Sequence, residues 1–172
     1  HLKTIESGTF SILKRLLEIP ELHRFSLVGG TALALRYGHR KSIDLGLFYH
    51  EPFDRSEVIQ ALQTNFHKDF VYEGVHSHFG IFCYIADIKV DIVHYPHAPI
   101  FPIDEIDKVR MYRSEDIACM KIQAILGRGK KKDFWDLSEL FAHYSLRQII
   151  SWHEQKYPGQ MLLISIPQAI TY

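Results

Sequence analysis

The sequence predicts an α/β fold of the α+β kind, a mixed sheet flanked by helices with a helical C-terminal part. Three observations predict it. Strand-like apolar runs and helix-period segments interleave through residues 1–95. The stretch "PHAPIFP" at 96–102 breaks that pattern. Beyond it, helical periodicity dominates. The expected division is an α/β core over residues 1–97 and a helical subdomain over 98–172 packed on it, with the seam near 96–110.

The first helix is predicted over 5–17, where Phe10, Ile12, Leu13, Leu16 and Leu17 make one apolar face, and Pro20 ends it. "FSLV" at 25–28 is a short continuous apolar strand, the kind buried on both faces. Gly29 and Gly30 break it, and a second helix runs from near Thr31 to Gly38. Residues 43–49 alternate as a strand, with Ile43, Leu45 and Leu47 on one face and Asp44, Gly46 and Phe48 on the other. Asp54 and Glu57 read as a capping box for a helix carrying Val58, Leu62 and Phe66. Strands follow over 71–75, 81–86 and 88–95, with Asp87 at the tight connection between the last two. In the C-terminal part, Ser114 is the expected N-cap of a helix reaching about Gly127, with Glu115 and Asp116 favoured by its positive end. The basic turn "GRGKKK" leads into a helix over 133–143, and another spans 146–157.

With 172 residues the chain is about one domain, long enough to bury roughly two-thirds of its unfolded surface. Apolar residues make up 47% and charged residues 23%, the balance of a soluble globular protein. Lys plus Arg and Asp plus Glu number 20 each, so bulk charge does not attract nucleic acid, and only a local basic patch would. Cys83 and Cys119 share no spacing motif and sit in apolar runs, so both are read as buried thiols. His76 with His78, and His94 with His97, lack a third ligand at zinc-like spacing. No apolar run approaches the ~20 residues that span a bilayer. The opening "HLKTIESG" lacks a secretory signal's apolar core. The expected location is therefore the cytoplasm, with no membrane partner. A start at His1 and an end in "SIPQAITY" leave the chain's completeness open.

Chemistry concentrates at the double glycine. A strand that ends in glycines and opens a helix presents bare amides and a positive dipole to an anion such as phosphate, and Thr31 adds a hydroxyl. A purely structural turn accounts for the same residues. Asp44 and Asp91 are each an acid in an apolar strand, and each needs a partner. If both reach a common face beside the glycines, their hard oxygens suit Mg²⁺ or Mn²⁺ rather than zinc. The alternative is ordinary ion pairing, Asp44 with Arg40 or Lys41 and Asp91 with Lys89.

"LVGGTALALRYGHRKSIDLGLF" at 27–48 closely resembles the signature of the nucleotidyltransferase AbiEii/AbiGii toxin family, part of the DNA polymerase beta-like nucleotidyltransferase superfamily. "RSEDIACMKIQAILGRGKKKDFWDLSEL" at 113–140 resembles that family's downstream helical block. The resemblance implies a nucleotidyltransferase-like sheet and transfer of a nucleoside monophosphate from an NTP, with release of pyrophosphate. It implies that Gly29, Gly30 and Thr31 cradle the triphosphate. Asp44 becomes a metal ligand, and Asp91 a third acid turned toward the attacking group. Similar toxins add nucleotides to the acceptor end of tRNA and are held in check by a separate antitoxin, so the expected acceptor here is an RNA, tRNA among them, or a protein hydroxyl. The departure is Gly46, where the family has a second aspartate that bridges two metals. The glycine implies an impaired enzyme, or else a nucleotide-binding or interaction module without catalysis. Glu51, Asp54 and Glu73 are the nearby acids that would have to substitute, and none has the right strand position.

Basic residues fit phosphate handling. Arg40 and Lys41 precede Asp44, and Lys121 borders the apolar stripe of its helix, where it reaches a phosphate or an aspartate, or merely snorkels. Lys121 is the catalytic candidate beside Asp44 and Asp91. Arg40 and, through the resemblance, Lys131, Lys132 and Asp133 are nucleotide-binding candidates. Lys132 and Asp136 at i, i+4 also make a plain surface pair. Phe134, Leu137 and Phe141 are read as core, as are Trp135 and Trp152 in preference to base stacking.

Overall fold

The computed structural model describes residues 1, 4–74, 77–162 and 165–171. Its helices are α1 (Ser7–Glu18), α2 (Gly29–Tyr37), α3 (Arg55–Phe66), α4 (Ser114–Gly127), α5 (Lys131–Leu140), α6 (Leu146–Lys156) and α7 (Ile166–Ile170). Its strands are β1 (Ser26–Val28), β2 (Leu45–Tyr49), β3 (Phe70–Val71), β4 (Gly80–Ile85), β5 (Ile88–His94), β6 (Asp104–Ile106) and β7 (Val109–Met111). The seven strands form one mixed sheet in the order β3-β4-β5-β2-β1-β7-β6. β2 runs antiparallel to β1 and parallel to β5, and β7 runs parallel to β1.

Alternation decides the two faces of the sheet. Leu27, Leu45, Leu47, Ile81, Cys83, Val90 and Ile92 are buried together with Leu13, Leu16, Val58 and Leu62 of α1 and α3. Val28, Gly46, Phe48 and Asp91 lie on the other face, which turns toward α4. β1 is buried along its whole length, as its unbroken apolar run requires. β4 and β5 join through Ala86 and Asp87, both with positive φ, the two-residue turn that matches strand twist.

Several expectations shift by a few residues, and each shift has a cause. α2 begins at Gly29, because the positive φ of that glycine (73°) turns the strand into the helix with no intervening loop. Ile43 is 57% exposed and precedes β2, so the strand face holds only Leu45 and Leu47. Ser114 is the first helical residue rather than the cap, and its hydroxyl accepts from Tyr37. Asp54 does cap α3, accepting from the backbone N–H of Ser56 and Glu57. The strand expected over 71–75 shortens to β3, and Val75 and His76 lie outside the described residues.

β6 and β7 were not expected. They form a hairpin through Asp107 and Lys108, both at positive φ, and carry the sheet across the expected seam. The turn lacks the Gly that marks most such hairpins. The 96–102 loop is tied down by buried Asp116, which accepts from the N–H of Ile100 and Phe101 and pairs with Lys156 at 2.7 Å.

On α5 the buried stripe is Asp133, Asp136, Leu137 and Leu140. That rotates the helix away from the expected apolar stripe. Phe141 falls beyond the last turn and is exposed, and Trp135 is 53% exposed under the Lys131 ammonium. Trp152 packs edge-on against Phe101 and Tyr144. Both cysteines are free and buried, and burial pushes each thiol up to about 12. Among the described residues no helix is long and apolar enough to cross a membrane.

Candidate active site

The site lies where β1 meets α2. Gly29 holds the left-handed conformation that L side chains disfavour. Gly30 is glycine for a different reason: a Cβ there would lie 1.8 Å from Nη2 of Arg40. The two glycines and the first turn of α2 open into a cleft of about 190 Å³ that also takes in Asp44, Gly46 and Asp91. Lys89, Arg128, Lys130 and Lys132 stand around it, with Arg40 and Lys121 in its wall. The two acids and the glycine turn therefore share one cleft.

Asp44 sits just before β2, outside the strand that was expected to hold it. Thr31 fixes it there: its buried hydroxyl donates to the Asp44 carbonyl and lies 2.8 Å from the Ser42 hydroxyl. Thr31 thus shapes the backbone of the site rather than offering its hydroxyl to a ligand. The Asp44 carboxylate pairs with Lys132 at 2.9 Å, not with Arg40 or Lys41. Asp91 pairs with Lys89 at 3.2 Å through one oxygen, as the ion-pair alternative anticipates. Its other oxygen, Oδ1, is buried and has no hydrogen-bond partner among the described residues.

Gly46 is the direct neighbour of Asp91 across the parallel β2–β5 pair. A Cβ at 46 would meet Val28 Cγ2 at 3.4 Å and Phe48 Cε1 at 3.6 Å, ordinary contacts. The strand position that would carry a second acid is intact and has room for a Cβ. Glu51 accepts from the Tyr49 hydroxyl and Asp54 caps α3. Neither these nor Glu73 lines the cleft. Among the described residues no three His, Cys, Asp or Glu side chains converge to hold a metal. Two carboxylates, one with an unpartnered buried oxygen, fit a single magnesium that draws its remaining ligands from water and substrate phosphates. They do not supply the donors for a pair of ions.

Behind the cleft lies a buried ionic network. Lys121 Nζ is 2.9 Å from Asp133 and 2.7 Å from Asp136. Arg40 donates two bonds to Asp136, at 2.6 and 2.9 Å, and His39 lies 2.7 Å from the same carboxylate. Arg128 reaches Asp133 from the solvent side at 3.1 Å. Burial pushes the Asp136 carboxyl up, but bonds from Arg40, Lys121 and His39 outweigh it and hold the group at about 2. Asp133 is likewise held low against its burial by Arg128 and Lys121.

Lys121, Arg40 and Asp133 therefore join α4, α5 and the loop after α2 behind the glycine turn. Asp136 is buried in this network, not in a surface pair with Lys132. Lys131 points away from the cleft onto Trp135, and its neighbour Lys130 takes the cleft position. Sequence reasoning missed Lys130, Lys89 as a cleft residue, His39 and the role of Asp136. The basic turn and the Asp-x-x-Asp spacing of Asp133 and Asp136 were the available signals.

This fold is that of the nucleotidyltransferases. It resembles antibiotic-resistance factor ANT(2'')-Ia, with a TM-score of 0.63, 17% identity, 87% of this chain and 90% of that one. It also resembles JHP933 from Helicobacter pylori, with a TM-score of 0.55, 17% identity, 97% of this chain and 89% of that one. Residues 11–157 match the family described as "Nucleotidyl transferase AbiEii toxin, Type IV TA system", and the chain belongs to that family. Uncharacterized protein aq_aa25 of Aquifex aeolicus (strain VF5) is 30% identical over 129 residues, 73% of this chain. The chain spans 61% of that relative's length.

Proposed function

We propose that this protein is a magnesium-dependent nucleotidyltransferase slowed by the glycine at position 46. It transfers a nucleoside monophosphate from an NTP to a hydroxyl of an RNA such as tRNA, and a cognate antitoxin protein restrains it. The acceptor oxygen bonds to the α-phosphorus, the α–β bridging P–O bond breaks and pyrophosphate leaves. The acceptor proton leaves through water beside Asp91, whose unpartnered Oδ1 is kept for the cation. Gly29 and Gly30 bring backbone amides to the triphosphate. Lys89, Lys130 and Lys132 neutralise it as point charges. Asp44 and Asp91 would hold the magnesium, which when bound supplies further charge neutralisation at the phosphates. ANT(2'')-Ia, solved in complex with adenylyl-2''-tobramycin, supports the nucleotidyl-transfer part of this reading.

The observation that carries the proposal is that Asp44, Asp91 and the glycine turn line one cleft. The two-acid set favours a second reading, a nucleotide-binding module without catalysis. The test measures NTP binding with and without magnesium, and label transfer from an α-labelled NTP to tRNA and to protein. Magnesium-dependent binding with slow labelling of tRNA is the expected result. Labelling of protein alone moves the acceptor. Binding without labelling selects the second reading, and absence of binding overturns both.

A further inference from the structure

A second cavity, of about 340 Å³, opens beside the nucleotide turn and shares Val28, Gly29, Phe48, Lys121 and Arg128 with the triphosphate cleft. Its remaining walls are apolar, from Tyr95, Met120 and Ala124, with Gln123 as the one amide. Phe48 and Tyr95 place their rings 5.4 Å apart at 43°. The Tyr95 hydroxyl is occupied by Tyr157 at 2.5 Å, so Tyr95 offers this cavity a ring rather than a free hydroxyl. Lys121 is committed to Asp133 and Asp136, and Arg128 to Asp133. Gln123 is left as the neutral hydrogen-bonding side chain. A planar, largely apolar group joined to a triphosphate fits this space.

Gln123 and His153 orient each other. The Gln123 Oε1 lies 3.1 Å from Nε2 of His153, which is buried against Tyr157. An amide oxygen only accepts, so Nε2 carries the ring proton and donates. Burial lowers the His153 pKa, which keeps the ring neutral. With its oxygen turned to His153, Gln123 has its NH₂ as the group left to face the cavity it lines, as a donor.

We infer that this cavity is the nucleobase subsite of the proposed NTP site, and that Gln123, set by His153, selects a base that carries a carbonyl where cytosine and adenine carry an exocyclic amine, uracil or guanine. Cytosine or adenine turning its exocyclic amine to the same point sets donor against donor. The inference rests on the NTP reading of the adjacent cleft and adds its base selectivity.

Binding of UTP, GTP, CTP and ATP, each with magnesium, tests it on the full chain. UTP and GTP bind at least about tenfold more tightly than CTP and ATP, the discrimination that one well-placed polar contact supplies. Gln123→Glu, which only accepts, reverses the order. Gln123 is half-buried, so this variant keeps the fold. His153→Phe keeps the ring but frees the amide to flip, and the preference collapses toward equality. Equal binding of all four NTPs by the unmodified protein overturns the base assignment and leaves the NTP reading standing. A preference that neither variant moves overturns the role of Gln123. Failure of every NTP to bind overturns the subsite together with the reading beneath it.

Discussion

Gly46→Asp restores an acid beside Asp91, and the structure sets the size of the effect. Sterically the change is mild, because the new Cβ meets Val28 and Phe48 at 3.4 and 3.6 Å. Electrostatically it is not. Adjacent strands lie about 4.8 Å apart, which puts two carboxylates roughly 5 Å from each other. At an effective dielectric constant near 20, their repulsion is about 3 kcal/mol. Lys89, already 3.2 Å from Asp91, offsets part of it. Losing a strand glycine returns a further 0.5–1 kcal/mol or so. The metal-free variant is therefore destabilised by about 1–2 kcal/mol, roughly 2–8 °C in Tm for a chain of this size. Magnesium relieves the repulsion, and binding at a hundredfold excess over Kd contributes about 2.7 kcal/mol. Thermal melts of both proteins with and without magnesium should show a larger magnesium-induced rise in the variant. Its NTP-dependent labelling of tRNA should rise at least tenfold, because even partners behind the metal ligands alter activity by about 10–100-fold. A variant that melts like the parent in both conditions, and labels no faster, refutes the placement of residue 46 at a cation site.

The remaining predictions concern the network behind the cleft. Asp136 is held at about 2, below its ordinary 3.8, so its contribution of about 2 kcal/mol is present in full above pH 4 or so and is lost as pH falls toward 2. Urea unfolding between about pH 5 and 2 should show that slope in the parent protein and a shallower one in Asp136→Asn. The same variant should lose about 3–5 kcal/mol at neutral pH, since Lys121 and Arg40 stay buried without their counter-charge. Gly30→Ala should lower stability by about 1–3 kcal/mol, because its methyl group displaces the Arg40 guanidinium from Asp136. If Gly30→Ala melts like the parent, Arg40 does not pack over the turn as described.

Much of this protein is readable without coordinates. The strand ending in Gly29 and Gly30, the alternation that puts Gly46 on the face opposite Leu45 and Leu47, and the tight connection at Asp87 are all set within a few residues of themselves. Periodicity, capping and turn chemistry act over such spans. The acids at 44 and 91 stood out because each interrupts an apolar run. Whether they reach a common cleft stayed open beside ordinary ion pairing, because the neighbours of a strand in a sheet are not written in its local pattern; the β2–β5 pairing decides it.

What only the tertiary structure decided is who holds whom. Asp44 meets Lys132 across 88 residues, and Asp136 meets His39 across 97. Charged side chains carry no local mark of their partners, so Asp136 reads as the surface partner of Lys132, and Asp133, through the resemblance, as a nucleotide-binding residue of the same helix. They are instead its buried stripe, because Lys121 and Arg40 arrive to neutralise them. The β6–β7 hairpin escaped notice for a related reason: β7 becomes a strand by pairing with β1, far away in the chain. Sequence alone determined the elements, the glycine turn and the two acids, because short-range sterics and apolar patterning suffice for those. The partners of the charges, and with them which lysines face the cleft, waited on the fold, because electrostatic pairing depends on distance in space and not along the chain.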